Sequence, residues 1–371
     1  MYSVDLVSDK AAFFALEGEW NDAVDRAAIA HPFLRHEWVR MWWEAFGGSD
    51  TRQLHILVVR RASRVCAIAP LMFERAQMYG VPVRRLQFLQ NDHTPRIDVI
   101  VADHVEDSYR ALWHAIQDGG RRWDVLQLSQ IPGDSGSRDK FRQLAASEGR
   151  QTGVWESGAA PYLQLASNWN DYLTSLGSKF RQNLRNRLGR LSQFGKPTLE
   201  VLADPDAIRA GREDAQRLED SGWKGIEGTS IRSDRAVQRF YTLLTERANE
   251  CAWLRLLFLS VGGRRIATSY AAIYAHKLFL LKTGYDPEFA KCSPFKLLTY
   301  FALQHAFDQG YTEFDFLGDT EPWKLEWTST TRRHDWLFVF ARTPRGRLLH
   351  PLKFQVVPAL RRTCTSPPSR A

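Results

Sequence analysis

Between Pro32 and Phe46 the apolar residues Leu34, Trp38, Met41 and Ala45 fall at offsets of 0, 4, 7 and 11, the spacing of one helical face, which Trp42 and Trp43 broaden. The period then changes. Leu54 to Val59 and Val65 to Phe73 are short apolar runs around an Arg/Ser turn and predict a pair of strands. Tyr109, Leu112, Trp113 and Ile116 share one face of a second helix, and Trp123 to Ser129 reads as the strand after it. The same order recurs downstream. A helix around Val237 to Ala248 precedes the hairpin Leu254 to Val261 and Ile266 to Ala275, closed by Gly262-Gly263-Arg264-Arg265. A strand at Lys277 to Thr283, a helix from Pro294 and a strand at Glu313 to Leu317 complete it. The pattern predicts two related α/β units, although no repeat is visible residue by residue. Gly, Ser and Asn gather between Gly149 and Asn170, which places the join there and predicts domains over 1–160 and 161–345.

The length of 371 residues agrees with two units at roughly 100–200 residues per domain. The net charge of +8 is local: Ser178 to Lys196 holds six basic and no acidic residues, and Ala341 to Ala371 seven basic and none acidic, so the remainder is at 8 − 13 = −5. The second block, rich in Pro, Ser and Arg, predicts a flexible basic tail over 346–371. Cys66, Cys251, Cys292 and Cys364 show no zinc or disulfide spacing, which predicts no metal and reduced thiols in a cytoplasmic protein. No run approaches the roughly 18 apolar residues of a membrane span.

Four constellations carry candidate chemistry. The strand ending near Tyr285 turns through Lys291 and opens a helix at Ser293-Pro294-Phe295-Lys296. Ser suits an N-cap and Pro the first helical turn, so exposed N–H groups and the positive end of the helix dipole would face the loop. The segment either caps a helix and no more, or holds the phosphates of an acyl donor with Lys291 and Lys296 as added charges. Next, Phe314 to Trp327 delivers Asp315, Asp319, Glu321 and Lys324 into one short loop. Aminolysis needs a neutral amine, which a carboxylate could produce as general base; such acids are otherwise turn-formers. Trp323 and Trp327 supply desolvation that would raise its pKa.

The third constellation is Ser221-Gly-Trp-Lys-Gly-Ile-Glu-Gly-Thr-Ser-Ile231, where Trp223 would stack on a ligand and Lys224 pair with an anion, or where a Trp simply pins a Gly-rich loop. Last, Ser178 to Leu191 places Arg181 and Arg185 four residues apart on one helical face, able to fork onto a phosphate or carboxylate or to lie solvated. His93, in Asn91-Asp-His-Thr-Pro95, has no metal-like partner spacing, and His305 falls on an apolar stripe. No GxSxG or Ser/His/Asp pattern points to a covalent hydrolase.

These pieces together resemble the CelD/BcsL-type acyltransferases of the GNAT superfamily, which are similar to the two-domain Fem aminoacyltransferases. The carriers are Pro32-Phe-Leu-Arg-His-Glu-Trp38, Ala69-Pro-Leu71, Ser178-Lys-Phe-Arg181, Ser221-Gly-Trp-Lys-Gly225, Gly284-Tyr-Asp-Pro-Glu288, Ser293-Pro294, Phe314-Asp-Phe-Leu317 and Pro322-Trp-Lys324. The resemblance implies two tandem GNAT-like domains, each a mixed, largely antiparallel sheet flanked by helices. It also implies transfer of an acyl group from acyl-CoA or another activated carrier to an amine. Phe295 stands where the family usually has Gly, and Trp323 where it usually has Tyr. Two alternatives stay open: aminoacyl-tRNA as donor, held by the basic segments, and a non-catalytic scaffold. The assignment therefore puts Asp315, Asp319 and Lys324 at the chemistry and Tyr285, Lys291, Ser293, Pro294, Phe295 and Lys296 at the donor. Arg181, Arg185, Trp223, Lys224 and Trp323 are assigned to substrate.

Overall fold

The computed structural model describes residues 2–118, 123–221, 228 and 230–358. The strands are β1 (Tyr2–Val7), β2 (Arg52–Leu54), β3 (Ile56–Arg61), β4 (Arg64–Ala69), β5 (Leu71–Met78), β6 (Val81–Phe88), β7 (Ile100–Val101), β8 (Val125–Pro132), β9 (Thr152–Gln164), β10 (Thr198–Leu202), β11 (Leu254–Val261), β12 (Arg264–Tyr274), β13 (Lys277–Tyr285), β14 (Glu313–Asp315) and β15 (Thr331–Phe340). The helices are α1 (Lys10–Ala15), α2 (Glu17–Arg26), α3 (His36–Phe46), α4 (Val105–Asp118), α5 (Ser137–Ser147), α6 (Trp169–Ser175), α7 (Ser178–Ser192), α8 (Pro205–Asp220), α9 (Arg235–Glu246), α10 (Pro294–Asp308), α11 (Pro322–Leu325) and α12 (Pro344–Pro351).

The fold is α/β, with mixed sheets flanked by helices. Eleven strands form one sheet in the order β10-β11-β12-β13-β14-β9-β15-β8-β6-β5-β2, and a second sheet runs β1-β3-β4-β7. The apolar run expected as one strand over 65–73 is divided between the two sheets. Pro70 has no N–H for a ladder, so the chain bends there and leaves β4 for β5. Its partner bends at His55, whose N–H donates to the Leu71 carbonyl at 2.9 Å.

The middle of the large sheet is an exchange. β9, from the first half, lies beside β14 of the second, while β15 crosses back to pair with β8. The expected join between 149 and 170 thus contains the 13-residue strand β9, and the 160/161 boundary falls inside it. Its ends serve different partners: Thr152 to Pro161 pairs with β15, and Tyr162 to Gln164 with β14. A core continuous across both halves seals the arrangement. Trp38 of α3 packs edge-on against Phe240 of α9 at 5.2 Å, and Phe33 against Phe279 of β13 at 5.6 Å.

The stretch from 346, expected to be loose, starts inside α12, whose Leu349 is buried against Phe338 and Phe340. Residues 359–371, with Cys364, lie outside the described residues; Cys66, Cys251 and Cys292 are buried and form no disulfide among the described residues. Among the described residues no helix is long and apolar enough to cross a membrane.

Candidate active site

The large sheet contains two parallel pairings, each three residues long: Arg85 to Gln87 of β6 against Val125 to Gln127 of β8, and Lys277 to Phe279 of β13 against Glu313 to Asp315 of β14. Beyond each pairing the strands separate. In the first half the chain's own loop closes the gap, with Ile97 N–H donating to the Gln130 carbonyl at 3.2 Å and Thr94 and Ile97 fully buried. In the second half the gap stays open.

Its opening has a local cause. Leu317 and Gly318 take successive left-handed conformations, at φ 53° and 59°, and turn the chain away from β13. Three contacts hold the turn. Asp315 Oδ1 accepts from Leu317 N–H at 2.9 Å, and Lys324 Nζ donates to the carbonyls of Leu317 at 2.8 Å and Asp319 at 3.0 Å. Asp315 Oδ2 accepts from Arg96 at 2.6 Å and Arg332 at 2.8 Å, and Arg332 also bonds Glu313. The Arg96 bond ties the first-half loop to the end of β14.

The separated strands enclose a cavity of about 250 Å³. Leu281 and Lys282 line it from β13, Leu317, Gly318 and Asp319 from the turn, and Tyr241 from α9. Asp92 to Arg96 enter from the first half, and Gln130, Gly158, Ala160 and His334 complete the wall. The His93 ring stacks on Phe46 at 5.8 Å and meets Tyr241 edge-on at 5.8 Å. Burial, reinforced by the Lys282 charge, pushes its pKa down to about 4. Burial and the Arg96 and Arg332 charges lower His334 to about 4 as well, with Asp315 opposing. Its Nε2 is buried with no partner among the described residues. Both imidazoles are thus neutral at physiological pH. Burial raises the Tyr241 phenol well above its ordinary value, keeping it a neutral donor.

The assigned residues divide among several places. Asp319, exposed, stands at the cavity mouth, and a Cβ at Gly158 would lie 2.6 Å from its Oδ1, so that glycine leaves room for the carboxylate. Asp315 is inaccessible, with both oxygens engaged, and Lys324 is buried as a clamp on the turn, its pKa lowered by desolvation against the pull of Glu321. Both are tied to the turn, and neither lines the cavity. Ser293 precedes α10 as expected but caps nothing: at φ 51°, ψ 61° its side chain makes no bond to the helix. The first intrahelical bond runs from Leu297 N–H to the Ser293 carbonyl at 3.2 Å, which leaves the N–H groups of Phe295 and Lys296 at the helix start.

The Phe295 ring packs edge-on against Trp323 at 4.6 Å, and Trp323 donates to Glu321 at 2.6 Å. Lys296 pairs with Glu326, Lys291 is exposed, and Tyr285 is half-buried with its carbonyl accepting from Ser221. Pro294 is buried beneath them. Arg181 and Arg185 are brought together, but against α10 rather than in the cleft. Trp223 and Lys224 lie outside the described residues.

Arg96, Gln130, Tyr241, Lys282 and His334 were not singled out by sequence reasoning. Each sits in an ordinary strand, helix or loop pattern, and only the exchange of strands gathers them. His93 carried the one local signal, a histidine in a short turn-rich loop.

Residues 178–325 match the acetyltransferase (GNAT) domain family. The match indicates an enzyme of the acyltransferase class, and it falls in the second half, where the gap is open. No curated protein matches the sequence. The structure is similar to that of FemX, at 13% identity and a TM-score of 0.59, covering 89% of this chain and 98% of that one. It is also similar to the C-terminal domain of a protein described as a lysylphosphatidylglycerol synthetase from Agrobacterium fabrum, at 13% identity and a TM-score of 0.57, covering 94% and 97%. A conserved protein from Bacteroides thetaiotaomicron gives 12% identity and a TM-score of 0.52, covering 92% and 100%. These likenesses establish the fold.

Proposed function

We propose that the protein is an N-acyltransferase in which an activated acyl donor enters the gap between β13 and β14 and an acceptor amine meets it in the adjoining cavity. The cavity where these strands part carries the reading, because a separated strand edge and two neutral imidazoles, His93 and His334, meet there. The amine nitrogen attacks the acyl carbonyl, and the C–N bond forms as the bond to the carrier breaks. His93 takes the proton released by nitrogen and passes it to the departing carrier, which restores the neutral imidazole. Asp319 attracts the ammonium form of the acceptor at the mouth. Asp315, Arg96 and Lys324 hold the turn that keeps the strands apart. N–H groups at the start of α10 face the anionic part of the carrier. The finer kinship with CelD/BcsL-type enzymes rests on the motifs around Ser293-Pro294 and Pro322-Trp-Lys324.

Aminoacyl-tRNA is the second reading of the donor. Phe295 packed on Trp323 narrows the approach of a pyrophosphate, and α7 has basic side chains with no acid from 178 to 196. Assays with acyl-CoA species and with charged tRNA, read by mass spectrometry of the acylated amine, separate the two. Transfer from acyl-CoA that survives ribonuclease supports the first donor, and transfer from tRNA that falls steeply with salt supports the second. His93→Gln should lower kcat by about 10²–10⁴ with whichever donor works. No transfer from either donor to any amine would contradict the reading.

A further inference from the structure

The two arginines that the cleft does not use line a second cavity, of about 240 Å³, between α6, α7 and α10. It shares no lining residue with the cleft. Leu184 and Leu297, both buried, form its inner wall with Leu173, Leu188 and the ring of Tyr300, while Arg181 and Arg185 flank it. Tyr300 is fixed edge-on against Trp169 at 5.1 Å.

The charges are uncompensated. Arg185 donates to Gln182 at 2.8 Å, an uncharged partner, and Arg181 Nε is buried with no hydrogen-bond partner among the described residues. Neither arginine pairs with a carboxylate among the described residues, and the sequence from 178 to 196 contains none. A buried guanidinium N–H without an acceptor is a costly arrangement that an anion relieves. An apolar wall beside Arg181 and the exposed Arg185 suits a molecule with hydrocarbon at one end and negative charge at the other.

We propose that this cavity binds an amphipathic anion, a short alkyl chain ending in a carboxylate or a phosphate, at a site separate from the acyl-transfer cleft. The chain lies against Leu184, Leu188 and Leu297, and Arg181 and Arg185 hold the head group. The carboxylate and phosphate forms correspond to a free fatty acid and a phosphorylated lipid fragment.

Titration calorimetry of the full-length protein with octanoate and octyl phosphate, beside octanol and inorganic phosphate, tests this. At least one of the amphipathic anions should bind, at least tenfold more tightly than octanol and than inorganic phosphate, and the tighter of the two identifies the head group. Its binding heat capacity should be negative. The paired change Arg181→Gln and Arg185→Gln should weaken binding at least tenfold, Leu188→Trp should abolish it by filling the cavity, and His93→Ala should leave it unchanged. Circular dichroism confirms that each variant is folded, and Arg181→Lys, which keeps the charge, serves where the paired change does not fold: it should retain binding at no more than a tenfold loss. Equal binding of octanol or inorganic phosphate, no binding of either anion, or loss of binding in His93→Ala would overturn the proposal.

Discussion

The two parallel pairings of the large sheet start alike and end differently. In the first half the strands part after Gln87 and Gln127, and the chain that follows β6 folds back to fill the gap with Thr94 and Ile97. In the second half they part after Phe279 and Asp315, and the left-handed turn at Leu317 and Gly318 carries the chain away and leaves a cavity. The plugged gap is not idle. Its loop reaches on to place His93 and Arg96 at the open one. One half thus retains the opening while the other supplies part of its wall, which is why the exchange of β9 and β15 matters: it fixes the two gaps in one continuous sheet.

The largest way to break this contrast is at Asp315. Asp315→Ala removes the acceptor for Arg96 and one acceptor for Arg332 in a fully buried setting and should cost about 3–5 kcal/mol in chemical denaturation. A loss under 1 kcal/mol would mean that the bridge does not hold the turn. Ile97→Ala hollows the plugged gap and should cost about 2–5 kcal/mol as a core truncation. On the proposed reading the filled gap takes no donor, so the number of donor molecules bound per chain should stay at the wild-type value; an additional one would erase the distinction between the halves.

Acid sharpens the comparison further. His36, His93 and His334 are each lowered from 6.5 to about 4, chiefly by burial. Above pH 6.5 neither folded nor unfolded chain holds these protons; as pH falls toward 4 the unfolded chain binds them first, so stability is lost across that window and levels off below it. His93 and His334 line the open cavity, so replacing both with Gln should reduce the histidine-linked slope of denaturation midpoint against pH, with His31, His36 and His305 carrying the remainder. An unchanged slope would place the proton uptake elsewhere.

Much of this could be read along the chain. The order of helix, hairpin, helix and strand does recur in both halves, and α10 begins at the predicted Pro294. Asp315, Asp319 and Lys324 do converge on one turn at a strand end. Their division into an exposed acid and two buried clamps was not readable, because it depends on Arg96 and Arg332, far away in sequence. Nor did Ser293 reveal its left-handed backbone, at which its side chain makes no bond to the helix. The strand β9 was missed because Gly153, Gly158, Ser157 and Pro161 look like a linker, yet pairing on both sides with β14 and β15 overrides their weak strand preference. Sequence period reports which face of a segment is buried; it does not report which distant segment covers it.

The central claim is that the reaction takes place where β13 and β14 part. Leu281→Trp tests it most directly, since the indole would occupy the cavity beside β13. Single-turnover acyl transfer, measured with the donor that supports wild-type turnover and with folding checked by circular dichroism, should fall at least a hundredfold. A folded Leu281→Trp protein that transfers acyl groups at the wild-type rate would contradict the account.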